Sequence, residues 1–289
     1  MAKANTKPSK GSTVLEFDTD AIKKRENEVA RETDEQIYAR LGERFEILTE
    51  MTRAVRTGDV RAMIVSGPPG VGKSHGVEAV LSKDGLFDKL AERKPKYEVV
   101  KGAMSAIGLY AKLYEFSEKG NVVVFDDCDS ILMEDLSLNI LKGALDSSER
   151  RFISWNTDSR LLRSEGIPDR FEFKGAAIFI TNIKFEHVKS KRLRDHLDAL
   201  ESRCHYIDLQ MDTAREKILR IKQVVREAGM LDRYEFEPVV RDELIQFVED
   251  NKDKLRELSL RMVLKLADLR KSFPKSWTAM AKTTCMKRA

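Results

Sequence analysis

Residues 62–74, AMIVSGPPGVGKS, constrain this chain more than any other stretch. An apolar run, Met63-Ile64-Val65, feeds Gly67-Pro68-Pro69-Gly70-Val71-Gly72-Lys73-Ser74, which fits the spacing G-x-x-x-x-G-K-[ST]. Glycines admit backbone conformations with φ > 0, so successive N–H groups can turn inward onto phosphate oxygens. Lys73 can reach β- and γ-phosphates, and the Ser74 hydroxyl can sit on Mg²⁺. Residues 75–81 have helix-compatible spacing, so the loop ends at a helix N-terminus, whose dipole favours anions. A flexible Gly/Pro surface loop is the alternative. The strand signal before the motif and the helix signal after it favour a bound nucleoside triphosphate.

The rest of the chain reads as alternating strands and helices. Residues 61–65, 97–100, 122–126, 176–180 and 205–209 are short apolar runs separated by helical or polar stretches, which argues a parallel α/β sheet. Ile37, Leu41, Phe45, Leu48 and Met51 form an amphipathic stripe within a helix expected over 20–56, and packing on a core is its default role. Residues 83–95 read as a polar connection, and 152–174 as a hairpin or long loop. From residue 212 the texture changes to helices over 213–229, 238–250 and 259–272 with no strand between them. The expected organisation is a disordered polar tail (1–19), an α/β nucleotide-binding domain with a helical lead-in (20–211), a small helical domain (212–274) and a basic tail (275–289).

Composition narrows the function classes. At 289 residues and 42% apolar content the chain can bury a large core, and its formal charge of +4 permits nucleic acid without demanding it. The three cysteines (Cys128, Cys204, Cys285) are widely spaced, and neither they nor the four histidines show metal-ligand spacing, so reduced thiols in a cytoplasmic protein are expected. No apolar run approaches a membrane span, and the first residues lack a signal-peptide core.

The run VVVFDDCD ends an apolar strand in Asp126 and Asp127, one βα unit after the phosphate loop. Such a strand delivers a carboxylate to the C-terminal edge of a sheet. In P-loop enzymes the first acid orients Mg²⁺ or its waters, which assigns Asp126 with Ser74 to the metal, and a neighbouring acid, here Asp127, can position the attacking water.

Taken in order, these motifs resemble the AAA+ ATPase superfamily, over roughly residues 41–272. GPPGVGKS resembles Walker A, VVVFDDCD resembles Walker B, and IFITN resembles the sensor 1 strand with Asn182 as its polar residue. DALESRC resembles the box that carries the arginine finger, with Arg203 as the finger, and LSLRMVLKLADL resembles the sensor 2 helix, with Arg261 as its arginine. The whole chain also resembles stand-alone AAA+ ATPases encoded by tailed phages, which would place it in the host cytoplasm. The resemblance implies a P-loop NTPase parallel sheet flanked by helices, with the C-terminal helical domain acting as a lid. It implies ATP and Mg²⁺ bound by residues 67–75, that is Gly67 through Ser74 and His75, with Arg261. It makes Lys73, Asp127, Asn182 and Arg203 the catalytic set. Because that family's finger serves the neighbouring subunit's nucleotide, a homo-oligomer, hexamer-like and ring-shaped, is expected.

The chain departs from the pattern at Asp127, where the family usually has Glu. One methylene less could slow hydrolysis and leave a nucleotide-gated loader. Arg150 or Arg151 is a second candidate for action in trans. Residues 102–109, with Met104, Ile107 and Leu109, lie where family members carry a pore loop, although they could equally begin a helix that faces the core. The work expected of the ring is remodelling of or translocation on DNA or RNA in replication or recombination; a protein remodeller acting on a partner chain is the alternative.

Overall fold

The structure is a computed structural model that describes residues 29–90 and 94–288, with the side chains of 84–90 excepted. The expected tail at 1–19 and the start of the expected lead-in helix lie outside the described residues. The chain has an α/β P-loop NTPase fold, a five-stranded parallel sheet in the order β2-β3-β6-β1-β7 with helices packed on it and a helical C-terminal unit. The strands are β1 (Ala62–Ser66), β2 (Tyr97–Lys101), β3 (Val122–Asp126), β6 (Ala176–Thr181) and β7 (His205–Asp208).

The three inner strands are buried along their whole length, as near-continuous apolar runs require when both faces are covered. Alternate residues divide between two cores. Ile64, Val123, Phe125 and Phe179 face helices α3 (Ala106–Glu115), α5 (Asp135–Ala144) and α7 (Lys191–Glu201), with the short α4 (Ser130–Met133) on the same side. Met63, Val65, Val124 and Ile178 face α1 (Asp34–Thr57) and α2 (Lys73–Leu90). Helix α1 opens with a Thr33–Gln36 capping box and stops at Gly58, whose φ of 86° suits glycine. It buries Ile37, Leu41 and Leu48 of the predicted stripe.

Two segments differ from expectation, and a third is the expected hairpin with an added helix. Helix α2 runs on to Leu90 through part of the expected polar connection. A lone Gly85 inside a helix costs only about 1 kcal/mol and does not stop it. The 152–174 segment is a hairpin with a helical insert: β4 (Phe152–Ser154) pairs antiparallel with β5 (Arg170–Glu172), and α6 (Arg160–Ser164) lies between them. The expected basic tail instead holds a helix. After α8 (Ala214–Glu227), α9 (Pro238–Asp250) and α10 (Leu260–Ser272) comes α11 (Trp277–Cys285). Trp277, Ala281 and Cys285 recur every fourth residue and are buried in the core of that helical unit, so the polar residues between them, Lys282 included, only coat an outer face.

Candidate active site

The phosphate loop leaves the C-terminal end of β1, a strand hydrogen-bonded on both sides. Gly70 (φ 72°) and Gly72 (φ 105°) take left-handed conformations that a side chain would strain. A Cβ at Gly70 would also come within 2.7 Å of Ser259 Cβ, because the entry to α10 presses on the loop and Leu260 N donates to Gly70 O at 2.8 Å. The loop wraps the Lys73 ammonium, which donates to Gly67 O (2.6 Å), Pro68 O (2.9 Å) and Asn182 Oδ1 (2.7 Å). Burial brings the Lys73 pKa down to about 8, against the opposing pull of Asp127 and Asp126. Helix α2 starts at Lys73 and aims its N-terminus at the same place.

Strands β3 and β6 bring the acids and the amide beside the loop. Ser74 Oγ donates to Asp126 Oδ1 at 2.8 Å, and Lys101 Nζ lies 3.4 Å from Asp126 Oδ2 while donating to Glu78 Oε1 at 2.7 Å. Asp127 has φ 53°, rare for a residue with a side chain, and its N–H continues the ladder to Ile180 O at 3.1 Å. Its Oδ1 accepts from Asn182 Nδ2 at 2.8 Å. Asn182 therefore bridges Lys73 and Asp127 with its two amide atoms. Thr181 Oγ1 donates to Asp129 Oδ1 at 2.7 Å and accepts from Ile183 N at 3.0 Å, which fixes the strand end that carries Asn182. Burial raises the Asp129 pKa and pushes the Cys128 thiol up to about 11.

Among the described residues no cluster of three or more His, Cys, Asp or Glu side chains could hold a metal ion by itself. That donor set does fit Mg²⁺, which keeps its waters and relies on one or two protein oxygens plus substrate phosphates. The Ser74 hydroxyl and the Asp126 carboxylate, which already attracts the Lys101 ammonium, would supply them.

A cavity of about 530 Å³ opens between the loop and the helical unit. Of the expected nucleotide-binding residues, Pro69, Gly70, Gly72, Lys73, Ser74, His75 and Arg261 line it, with Asp127 and Asn182. The Gly67 and Pro68 carbonyls are taken by Lys73, and the Val71 side chain packs with Ile37, Leu41 and Leu219. Sequence reasoning missed Phe45, Arg220, Arg233 and the apolar wall of Val224, Met230 and Leu264. Phe45 belonged to a stripe read as packing, Leu264 lies on the sensor-2-like helix but outside its arginine, and Arg220, Val224, Met230 and Arg233 belong to no local motif.

Arg203 is elsewhere. It precedes β7, whose His205 pairs with Met63 at the start of β1, so it occupies the edge of the sheet opposite the loop. It lines a second cavity of about 460 Å³ with Asp59, Arg61, Asp146 and His205. It donates to Ala199 O, and its Nε is buried with no acceptor. Arg151, the other candidate for action in trans, is spent: it is buried and donates to Ala144 O and Gly175 O, each at 3.0 Å, so it is a structural staple. Arg150 pairs with Glu172 at 3.0 Å. In the 102–109 segment Leu109 is buried in the core and Met104 and Ile107 pack against it, so the core reading holds for these side chains. Ser105 caps α3, and Gly102 (φ 93°) turns the exposed chain into it.

No protein-family model matches the chain. A relative from Enterobacteria phage T4, described as "Uncharacterized 36.7 kDa protein in nrdC-mobD intergenic region", is 32% identical over 256 residues, which is 88% of this chain and 77% of that one. Among solved structures, "Replication initiator DnaA bound to AMPPCP and single-stranded DNA" is similar with a TM-score of 0.44 and 15% identity, over 82% of this chain and 63% of the other. This chain thus spans less than two thirds of that protein's length. Domain III of the Thermotoga maritima replication initiation protein DnaA is similar with a TM-score of 0.46 and 13% identity, over 84% of this chain and 91% of the other. Both TM-scores lie below 0.5. No helix among the described residues is long and apolar enough to cross a membrane.

Proposed function

The chain belongs to the family of that phage T4 protein, and from the site itself we propose that it is an AAA+-type ATPase whose catalytic centre is completed by a second copy of the chain. The observation that carries this reading is the relay Lys73–Asn182–Asp127 laid beside the Ser74–Asp126 pair at the mouth of the phosphate loop. Lys73 and the loop amides bind the phosphates. Ser74 and Asp126 would hold Mg²⁺, which would supply charge neutralisation on the nucleotide's phosphates. Asp127 accepts a hydrogen bond from the attacking water and orients it, and Asn182 holds that carboxylate in place. The helical unit, reached at about residue 212, covers the nucleotide, with Arg261 beside the loop.

Apart from Lys73, the cations that line this cavity, Arg220, Arg233 and Arg261, all come from the helical unit, and the sheet adds a further candidate for the charge that develops on the transferred phosphoryl group. Arg203 has the right chemistry and an unspent buried donor, but it stands on the opposite edge. In a head-to-tail assembly that edge meets the next subunit's loop, so each site draws its finger from a neighbour. The test is Arg203→Ala. Its expected outcome is unchanged ATP binding with turnover lowered about a thousandfold or more; turnover at the wild-type level would sink the shared-site reading.

The hydrolysis drives work on a nucleic-acid chain. On the hairpin Phe152 is 37% exposed, and the Arg150 and Arg170 guanidiniums lie 5.0 and 4.5 Å from its ring centroid. Planar cations grouped on an exposed ring make a stacking platform for unpaired bases. Stimulation of turnover by single-stranded DNA or RNA at low salt is expected. Stimulation by an unfolded protein and not by nucleic acid would instead favour the protein-remodelling alternative.

A further inference from the structure

Phe45 of α1 and Arg220 of α8 meet against the phosphate loop, although no motif joins them. The Arg220 guanidinium carbon lies 3.4 Å from the Phe45 ring centroid, and both side chains line the 530 Å³ cavity. A Cβ built on Gly72, the residue before Lys73, would be 3.8 Å from Arg220 Nη2 and 3.8 Å from Phe45 Cε1. The fork is thus within one atom's length of the loop. Its Nη1 is used on Gln223 Oε1 at 2.7 Å, but its Nε is buried with no acceptor in the structure. Burial draws the Arg220 pKa down to about 10, with Tyr38 and Glu227 opposing, so the group stays charged near neutrality. An aromatic face accommodates the charge of a guanidinium and leaves its in-plane donors unsatisfied. Donors held in a cavity, desolvated and beside a phosphate loop, are complementary to an anionic acceptor.

We infer that Arg220 is a phosphate-binding residue carried by α8, donating to the α/β-phosphate end of the nucleotide beside Gly72, with Phe45 as the positioning residue that holds the plane of its fork. Arg261 flanks the loop at the other side, its Cγ 3.6 Å from the Cβ position of Gly70. The helical unit would then grip the phosphate chain from two helices. The inference rests on the reading of the loop as a nucleoside-triphosphate site and adds a second contact from the first helix of that unit.

The test is equilibrium titration of the full chain with fluorescent ATP and ADP analogues, using wild type, Arg220→Gln, Arg220→Lys, Phe45→Leu and Lys73→Ala. Arg220→Gln should weaken ATP and ADP alike by about 10- to 100-fold while leaving the melting temperature of the unliganded chain unchanged. Arg220→Lys, which keeps the charge and loses the fork, should recover part of that affinity, and Phe45→Leu should lose less than Arg220→Gln. Wild-type affinity for both nucleotides in Arg220→Gln and Arg220→Lys overturns the inference. So does a loss confined to ATP, which would put the residue at the γ-phosphate. Failure of the wild type to bind either nucleotide, or wild-type binding by Lys73→Ala, overturns the reading of the loop itself and is distinguishable from both.

Discussion

Lys73 is 6% exposed and carries its charge at a cost, which makes nucleotide binding sensitive to pH in a calculable direction. In the free protein its pKa is lowered by burial to about 8. Phosphates favour the ammonium and raise that value in the complex. The charged form is therefore the binding form, present below pH 8, and affinity is lost as pH rises above it, by up to about tenfold per unit. Calorimetric titrations at pH 9 in two buffers of different ionisation enthalpy should show a proton taken up on binding; a dissociation constant independent of pH between 8 and 9.5 would contradict it. Much at this scale is legible in the sequence. Lys73, Ser74, Asp126, Asp127 and Asn182 each follow a strand or a fixed spacing, and the structure brings them into hydrogen-bonding contact. Arg220 is not legible, because it lies in AREKILRIKQVVRE among charges that read as a solvated face, and only the tertiary fold turns it onto Phe45. The left-handed backbone of Asp127 is equally hidden, since it comes from the β3–β6 ladder running one residue past the strand.

Elements follow the same division. The buried strands and the helices of the C-terminal unit announce themselves by unbroken apolar runs and by Thr213 and Ser259 caps. Helix α11 does not, because only three of its nine residues are buried and the rest are three threonines, Ala279, Lys282 and an exposed Met280. Its anchor is Trp277, 3% exposed, with its ring 4.9 Å from that of Phe247 and its Nε1 donating to Glu243 at 3.2 Å. Trp277→Ala should destabilise the helical unit by about 3–5 kcal/mol, visible as an early transition in denaturant melts. A melt matching the wild type would mean that α11 is peripheral to that core. The same element scale explains Arg151: its two bonds run from the end of α5 to the turn before β6, a tie between distant segments that residue spacing alone does not reveal.

At the scale of the whole molecule, the parallel sheet gives the protein two chemically different edges. The strands deliver phosphate-binding groups at one edge and Arg203 at the other, and every strand points the same way. Parallel strands therefore place the two halves of the proposed site at opposite edges of the sheet within one chain. On that proposal a lone subunit binds ATP and turns over little of it. Specific activity, expressed per subunit, should rise with protein concentration and fall on dilution, and a constant value across the range in which the oligomer dissociates would refute it. There is also a consequence for mixtures. A Lys73→Ala subunit keeps its arginine edge and an Arg203→Ala subunit keeps its loop, so two preparations that are each inactive should regain turnover when combined. With equal amounts and random assembly, about one junction in four would be complete. Such recovery would make each defect the property of a junction and assign catalysis to pairs of molecules, so that the subunit ceases to be the unit in which activity is counted.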